Sequence, residues 1–343
     1  VITPAISILS AVEGLEIATP YFKPYIVPIS VMLILFLFML QRFGTAKIGR
    51  AFGPIILMWF LVLAVLGFMG ISQNFHVLTA INPYHAMEFF VINQYAGFLT
   101  LGAVFLVVTG GEALYADIGH FGRKPINTAW FYVVLPCLLL NYFGQGALLL
   151  QDPSAAINPF FRLAPEWATI PLVCLSTLAA IIASQALISG LFSMTYQAVQ
   201  LGYLPRQTVI HTSKLEKGQI YLPRVNWVLC VSTVALVLIY QSSSRLAAAY
   251  GLAVTATMLV TTILIYFVAR EHWLWKGWFV ITITCVLAAI DLSFLTANLT
   301  KLLDGGYVPL VIAGFIFTST TTWRRGRFLL SEQLRTSIAT LDR

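Results

Sequence analysis

Charge is the scarcest commodity in this 343-residue chain: only 10% of residues are Asp, Glu, Lys or Arg, against 59% hydrophobic. A soluble domain carries about 25% charged residues, so a soluble globular fold is excluded. Cysteine is also scarce. Cys137, Cys174, Cys230 and Cys285 each sit inside an apolar run, with no CxxC pair and no histidine at ligand spacing, so they read as packing residues that say nothing of redox compartment. Enzyme signatures are missing: HExxH, GxxxxGK[ST], GxSxG and GxGxxG do not occur. The five histidines, His76, His85, His120, His211 and His272, are scattered at or near loops, so neither a metal centre nor a cofactor is expected. A fixed 20–50-residue repeat and low-complexity segments are lacking too. The N-terminus has no charged n-region or cleavage site. Because Val1 opens directly into apolar sequence and the last segment, from Arg324 to Arg343, is charged and amphipathic, the chain is expected to be a piece of a longer protein.

What fills the sequence instead is long apolar runs. They predict an all-α polytopic membrane protein, since only helices of about 20 apolar residues satisfy every backbone group inside one segment. Ten spans are predicted: Val1 to Thr19, Tyr25 to Leu40, Ala51 to Ser72, Gly97 to about Gly119, Ile126 to Leu150, Ala168 to about Val199, Val225 to Tyr240, Leu246 to Ala269, Trp273 to about Leu295, and Tyr307 to Trp323. Residues 1–323 form one transport domain, and 324–343 begin a cytoplasmic segment. Two external connections exceed turns: Phe75 to Tyr95, amphipathic with a short interfacial helix, and the Pro-rich Gln151 to Trp167.

Of 20 Lys and Arg, all but Lys23, Arg162, Arg245 and Lys301 fall in the alternate set of connections, which places both ends of the chain in the cytoplasm. The same distribution argues against nucleic acid as a partner despite the net charge of +7, because the basic residues form no patch with interleaved aromatics.

The stretch from Thr109 to Gly122 interrupts the fourth span with Gly110-Gly111 and then Glu112. Adjacent glycines cost a helix about 1 kcal/mol each relative to alanine, and a carboxylate at bilayer depth costs about 2.5–3.5 kcal/mol. One reading is a helix broken beside an acid, as ion-coupled transporters use to present backbone groups to a cation; the other is a helix ending at Gly110-Gly111 with Glu112 in headgroup water. In an unhydrated site Glu112 would hold a proton more readily. Asp117 anchors the inner end through His120 or backbone N–H groups.

Thr3 and Ser7 stand four apart, hence on one helix face, and Pro4 between them frees a carbonyl one turn earlier. Oxygen ligands of this kind suit a hard cation. Alternatively both hydroxyls bond back to carbonyls one turn earlier. Glu13 and Glu16 read as acids in headgroup water or in an outer vestibule. Asp291 needs a hydroxyl or basic partner at its depth, and Tyr250-Gly251 joins a phenol to a small residue that permits close helix approach.

The strings VITPAISILSAVEGLE, TGGEALYADIGHFGRKPI, LNYFGQGALLL, IASQALISGLFSMTYQAVQLGY and AAAYGLAVTATM resemble, in order, the KUP/HAK/KT potassium uptake permeases, closest to the bacterial low-affinity members. The resemblance implies an amino acid–polyamine–organocation superfamily fold of two inverted five-helix repeats plus two helices. The ten spans would then be the family's third to twelfth, with the first two helices and the C-terminal cytoplasmic domain outside this sequence. It implies H+-coupled K+ symport by alternating access, with K+ and H+ as substrates, the bilayer as surroundings and a homodimer in the intact protein. By motif match it assigns K+ ligation to Thr3, Ser7 and Thr109. Glu112 and Asp291 become transport or proton-coupling acids, and Tyr250 a site or gate residue. Two alternatives are an amino-acid permease of the same superfamily and a non-transporting assembly partner.

Overall fold

The computed structural model describes the backbone of all residues except 44, 112–113, 115–117, 119–121, 212–219 and 342–343. The protein is a multi-pass helical membrane protein, and among the described residues nine helical segments are long and apolar enough to cross a bilayer. The first helix, α1 (Ile2–Ala18), has 17 residues and is shorter than those nine. After it come α2 (Ile26–Leu40), α3 (Thr45–Gln73) and α4 (Pro83–Val104). The next are the short α5 (Arg123–Ala129), α6 (Leu135–Gln151), the one-turn α7 (Pro159–Arg162) and the 32-residue α8 (Thr169–Gln200). A two-residue antiparallel ladder, β1 (Ile210–His211) with β2 (Ile220–Tyr221), precedes α9 (Pro223–Tyr240). Finally α10 (Ser243–Glu271), α11 (Gly277–Leu299) and α12 (Tyr307–Leu341) complete the chain.

Prolines mark where helices begin or deform. Pro4, Pro83 and Pro223 occupy first turns, where a missing N–H costs nothing because that donor has no intrahelical partner. Asn82 completes the start of α4 by accepting the Tyr84 N–H at 3.1 Å. Pro136 cannot donate to the preceding turn, and the backbone answers with a π-type turn over Trp130–Val134 just before α6.

Two differences from the expected boundaries follow from local chemistry. The fourth span is helical from Pro83 rather than Gly97, with non-helical backbone at Gln94 (φ 43°, ψ −114°) separating an N-terminal helical piece from the apolar piece that leads to the break. The polar residues His85, Glu88 and Asn93 conceal this helix from a reading by hydropathy. The last helix continues past Trp323 to Leu341, since nothing in Arg324–Leu341 stops it.

In lipid, apolar burial does not draw helices together, so close packing and small residues must. The largest buried cluster joins α1, α2, α8, α9 and α10 around Ile8, Leu9, Leu37, Phe38, Phe192 and Leu246. The tightest approach is between α3 and α6: a Cβ at Gly67 would lie 2.3 Å from the Leu140 carbonyl oxygen, and one at Gly144 2.5 Å from Gly67 Cα. Large apolar side chains such as Phe36, Phe68 and Phe315 stay exposed, as lipid-facing positions require.

Candidate functional site: the interrupted helix and its neighbours

The apolar piece of α4 tightens into a 3₁₀ turn over Phe105–Val108 and stops at Thr109, whose backbone is extended (φ −82°, ψ 169°). The Thr109 hydroxyl (2.7 Å) and N–H (3.4 Å) both donate to the Leu106 carbonyl, which leaves the hydroxyl's lone pairs as acceptors. Gly110 takes φ +102°, with nothing within 4 Å of where a Cβ would sit, so the backbone rather than crowding calls for glycine there. The Leu114 N–H then bonds to the Gly110 carbonyl at 3.2 Å, and helical geometry resumes. Glu112, Asp117 and His120 lie outside the described residues.

α10 and α11 hold the part of this element before the break in place. Phe105 is fully buried, with its ring 6.3 Å from that of Phe294. A Cβ at Gly251 would meet Asn298 Oδ1 at 2.3 Å and the Phe105 ring at 3.1 Å. Asn298 is itself fully buried and donates to the Phe294 carbonyl at 2.9 Å, while its Oδ1 has no partner among the described residues. Tyr250, beside Gly251, is buried on the same stretch of α10. Two turns from Asn298 along α11, Asp291 is buried and accepts a hydrogen bond from Thr262 Oγ1 of α10 at 2.5 Å. Its partner is a hydroxyl from the neighbouring helix, not a base.

Thr3 and Ser7 occupy α1, half-buried. Neither hydroxyl has a hydrogen-bond partner among the described residues; Ser7 leaves the Thr3 carbonyl one turn earlier unused, whereas Thr177, Thr255, Thr257 and Thr261 return their hydroxyls to such carbonyls, and for Thr3 the corresponding carbonyl would lie before Val1. Ser7 faces a cavity of about 560 Å3 shared with Ser10, Asn141, Ser176 and the aromatic rings of Trp59 and Phe161. α1 and α4 each pack against α10, the helix of Tyr250.

The sequence of this chain, over residues 1–328, matches the family described as the K+ potassium transporter integral membrane domain. The chain belongs to that family. Among curated relatives of this potassium transporter family, a protein of Myxococcus xanthus is 57% identical over 337 residues, which is 98% of this chain and 52% of the relative. A Bdellovibrio bacteriovorus protein is 55% identical over 335 residues, 98% of this chain and 50% of its own. A Geobacter sulfurreducens protein is 57% identical over 333 residues, 97% and 53% respectively. The first two are named probable potassium transport system protein Kup and the third probable potassium transport system protein Kup 1. The chain spans about half the length of these relatives.

Several residues of this potassium transporter domain have structural parts that reading the sequence did not assign. Glu13 is not simply solvated: its carboxylate accepts from the Ser243 N–H at 2.8 Å and from the Ser243 hydroxyl, closing the start of α10. Glu16 meets Lys23 at 2.8 Å on the exposed surface, a pair of little energetic weight. The Tyr240 hydroxyl donates to the Gly305 carbonyl, tying the end of α9 to the turn before α12. Lys301 donates to the Gly102 carbonyl at 2.7 Å. Each of these pairs is more than 60 residues apart, except Glu16–Lys23. No sequence periodicity announces such pairings.

Proposed function

We propose that the intact protein takes up K+ across the bacterial cytoplasmic membrane by H+-coupled symport with alternating access, both ends of this chain lying in the cytoplasm. The observation that carries the reading is the unengaged hydroxyl of Ser7 on α1. In an apolar helix the easy fate of a hydroxyl is the carbonyl one turn back. Ser7 leaves that bond to the Thr3 carbonyl unmade among the described residues, so its oxygen, with that of Thr3 one turn before it, is available to replace part of a cation's hydration shell. Thr109, at the end of the interrupted helix, offers a third oxygen beside carbonyls released by the break. Glu112 is the acid whose protonation changes over the cycle, and Asp291 with Thr262 secures the α10–α11 pair. Tyr250 is the site or gate residue on α10. Family membership and the names of the relatives support the same reading.

Sidedness rests on the lysine and arginine bias. It is supported by Arg324, whose guanidinium lies 5.0 Å over the Tyr203 ring and donates to its hydroxyl at 2.9 Å, joining two segments assigned to the cytoplasmic side.

The test is Rb+ uptake by the intact protein in cells lacking other K+ uptake. Thr3→Ala and Ser7→Ala should each raise the apparent KM for K+, and Glu112→Gln should flatten the dependence of rate on external pH. Unchanged KM in both hydroxyl variants would move the site elsewhere. Competition by amino acids rather than by K+ would replace the reading with an amino-acid permease.

A further inference from the structure

The outer half of α4 has a partner that the transport reading leaves unused. α11 ends at Leu299, and the chain reaches α12 through a π-type turn, Leu302–Gly306. Just before that turn Lys301 extends back to α4 and donates from Nζ to the Gly102 carbonyl at 2.7 Å. The approach is close: a Cβ at Gly102 would lie 3.1 Å from the Ala297 carbonyl oxygen and 3.3 Å from Lys301 Nζ.

Gly102 belongs to the last turn of α4, and the helix continues through the 3₁₀ turn Phe105–Val108 to stop at Thr109. The carbonyl end of a helix carries the equivalent of about half a negative charge, and here an ammonium sits near it, on the Gly102 carbonyl. The same end of α4 borders a cavity of about 770 Å3 lined by Leu106, Tyr240, Arg245, Lys301, Asp304 and Tyr307. Leu106 also supplies the carbonyl that holds Thr109. By the lysine and arginine bias this cavity is on the outer side. Its charged lining consists of two cations, Lys301 and Arg245, and one acid, Asp304. Burial lowers the Lys301 pKa and Asp304 pulls it back up, so the amine is incompletely hydrated.

An alkylammonium and K+ are both monovalent and both satisfied by carbonyl oxygens. We propose that Lys301 is a tethered cation that occupies the outer carbonyl end of the interrupted helix and competes with the entering ion, setting the apparent affinity from outside. This rests on the K+ uptake reading above and adds a specificity-determining residue to it. Lys301 positions no substrate and touches no proposed ligand. It acts by holding positive charge at the end of α4.

Rb+ uptake kinetics of the intact protein test it with Lys301→Gln, Lys301→Met and Lys301→Arg. Removing the charge should lower the apparent KM about two- to five-fold in Gln and Met alike, the range that helix-end charge interactions produce, while Arg keeps the wild-type KM. A purely structural clamp would behave differently: Gln retains a hydrogen-bond donor and would match wild type. An unchanged or raised KM for both neutral variants at wild-type membrane levels overturns the proposal. Should Met fail to reach the membrane, Gln decides alone. Lack of Rb+ uptake by the wild-type protein would remove the uptake reading and this inference with it, whereas uptake with unaltered variant KM removes only the role of Lys301.

Discussion

Gly67→Ala is the perturbation whose cost can be worked most directly from the structure. The added methyl carbon would stand 2.3 Å from the Leu140 carbonyl oxygen, 2.4 Å from its carbon and 2.6 Å from the Asn141 nitrogen, all backbone atoms of α6 that cannot rotate away. Ordinary contact begins near 3.4 Å, so α6 must withdraw from α3 by about 1 Å, a gap at which the facing atoms forfeit up to half of their dispersion attraction. The same withdrawal lengthens the bond from Asn141 Nδ2 to the Leu63 carbonyl, already 3.4 Å. A buried amide donor left unmet costs about 1–3 kcal/mol, and overpacking costs about 1–3 kcal/mol. The better helix propensity of alanine returns up to about 1 kcal/mol, which leaves a net loss of about 1–6 kcal/mol. The assay is the thermal midpoint of purified protein in detergent or nanodiscs, with Gly314→Ala as comparison, since nothing lies within 4 Å of a Cβ at Gly314. Gly67→Ala should lower the midpoint and Gly314→Ala should leave it level or raise it. Gly144→Ala should also lower it, and the double variant should fall short of the sum, because both methyl groups push the same two helices apart. A Gly67→Ala midpoint at or above that of Gly314→Ala would refute the packing argument.

Thr262→Val should cost about 1–3 kcal/mol by stripping Asp291 of its hydroxyl donor, while Thr262→Ser should not; equal midpoints for Val and Ser would mean that the hydroxyl is idle. Glu13→Ala should cost about 0.5–2 kcal/mol, the range of a lost helix cap, and should speed amide exchange at Ser243, whose N–H it accepts. Unaltered exchange there would contradict the cap. Asp152, just past the outer end of α6, is held below the usual carboxylate range by hydrogen bonding from the Ser154 side chain first and its N–H second. Because the folded pKa is the lower one, this contribution is present above the unfolded value of about 3.9 and is lost as pH falls through the folded value. The midpoint gap between wild type and Asp152→Asn should therefore close on acidification; a gap independent of pH would count against it.

Much of the helical order was legible because apolar runs leave a membrane chain few choices. The break was legible for a different reason: adjacent glycines after a dozen apolar residues disfavour continued helix, and the structure puts the positive φ on Gly110. The start of α4 was less so. Asn82-Pro83 is a cap followed by a first-turn proline, but His85, Glu88 and Asn93 beyond it make the stretch read as a loop with a short interfacial helix rather than the start of a span. The state of Thr3 and Ser7 could not be read at all, since spacing puts two hydroxyls on one face without saying whether they bond back. Asp291 called for a partner type, and a hydroxyl answers it, yet nothing in the order of residues singles out Thr262. Glu13–Ser243 and Lys301–Gly102 depend on helices meeting after chain separations of 230 and 199 residues. Only the packed fold brings such groups together.

α8 runs for 32 residues without interruption, about 48 Å at 1.5 Å per residue, well beyond the hydrocarbon thickness of about 30 Å. Toward its N-terminal end Ser176, Ala179, Ala180 and Ala183 form a wall of the cavity that Ser7 faces. Farther along, Phe192 packs edge-on against Tyr221, the residue that closes the small β ladder. An uninterrupted helix transmits tilt as a beam does. Rotation by about 10° around its midpoint would carry each end about 4 Å in opposite directions. A tilt of α8 would thereby widen the cavity wall at one end while displacing the β ladder at the other.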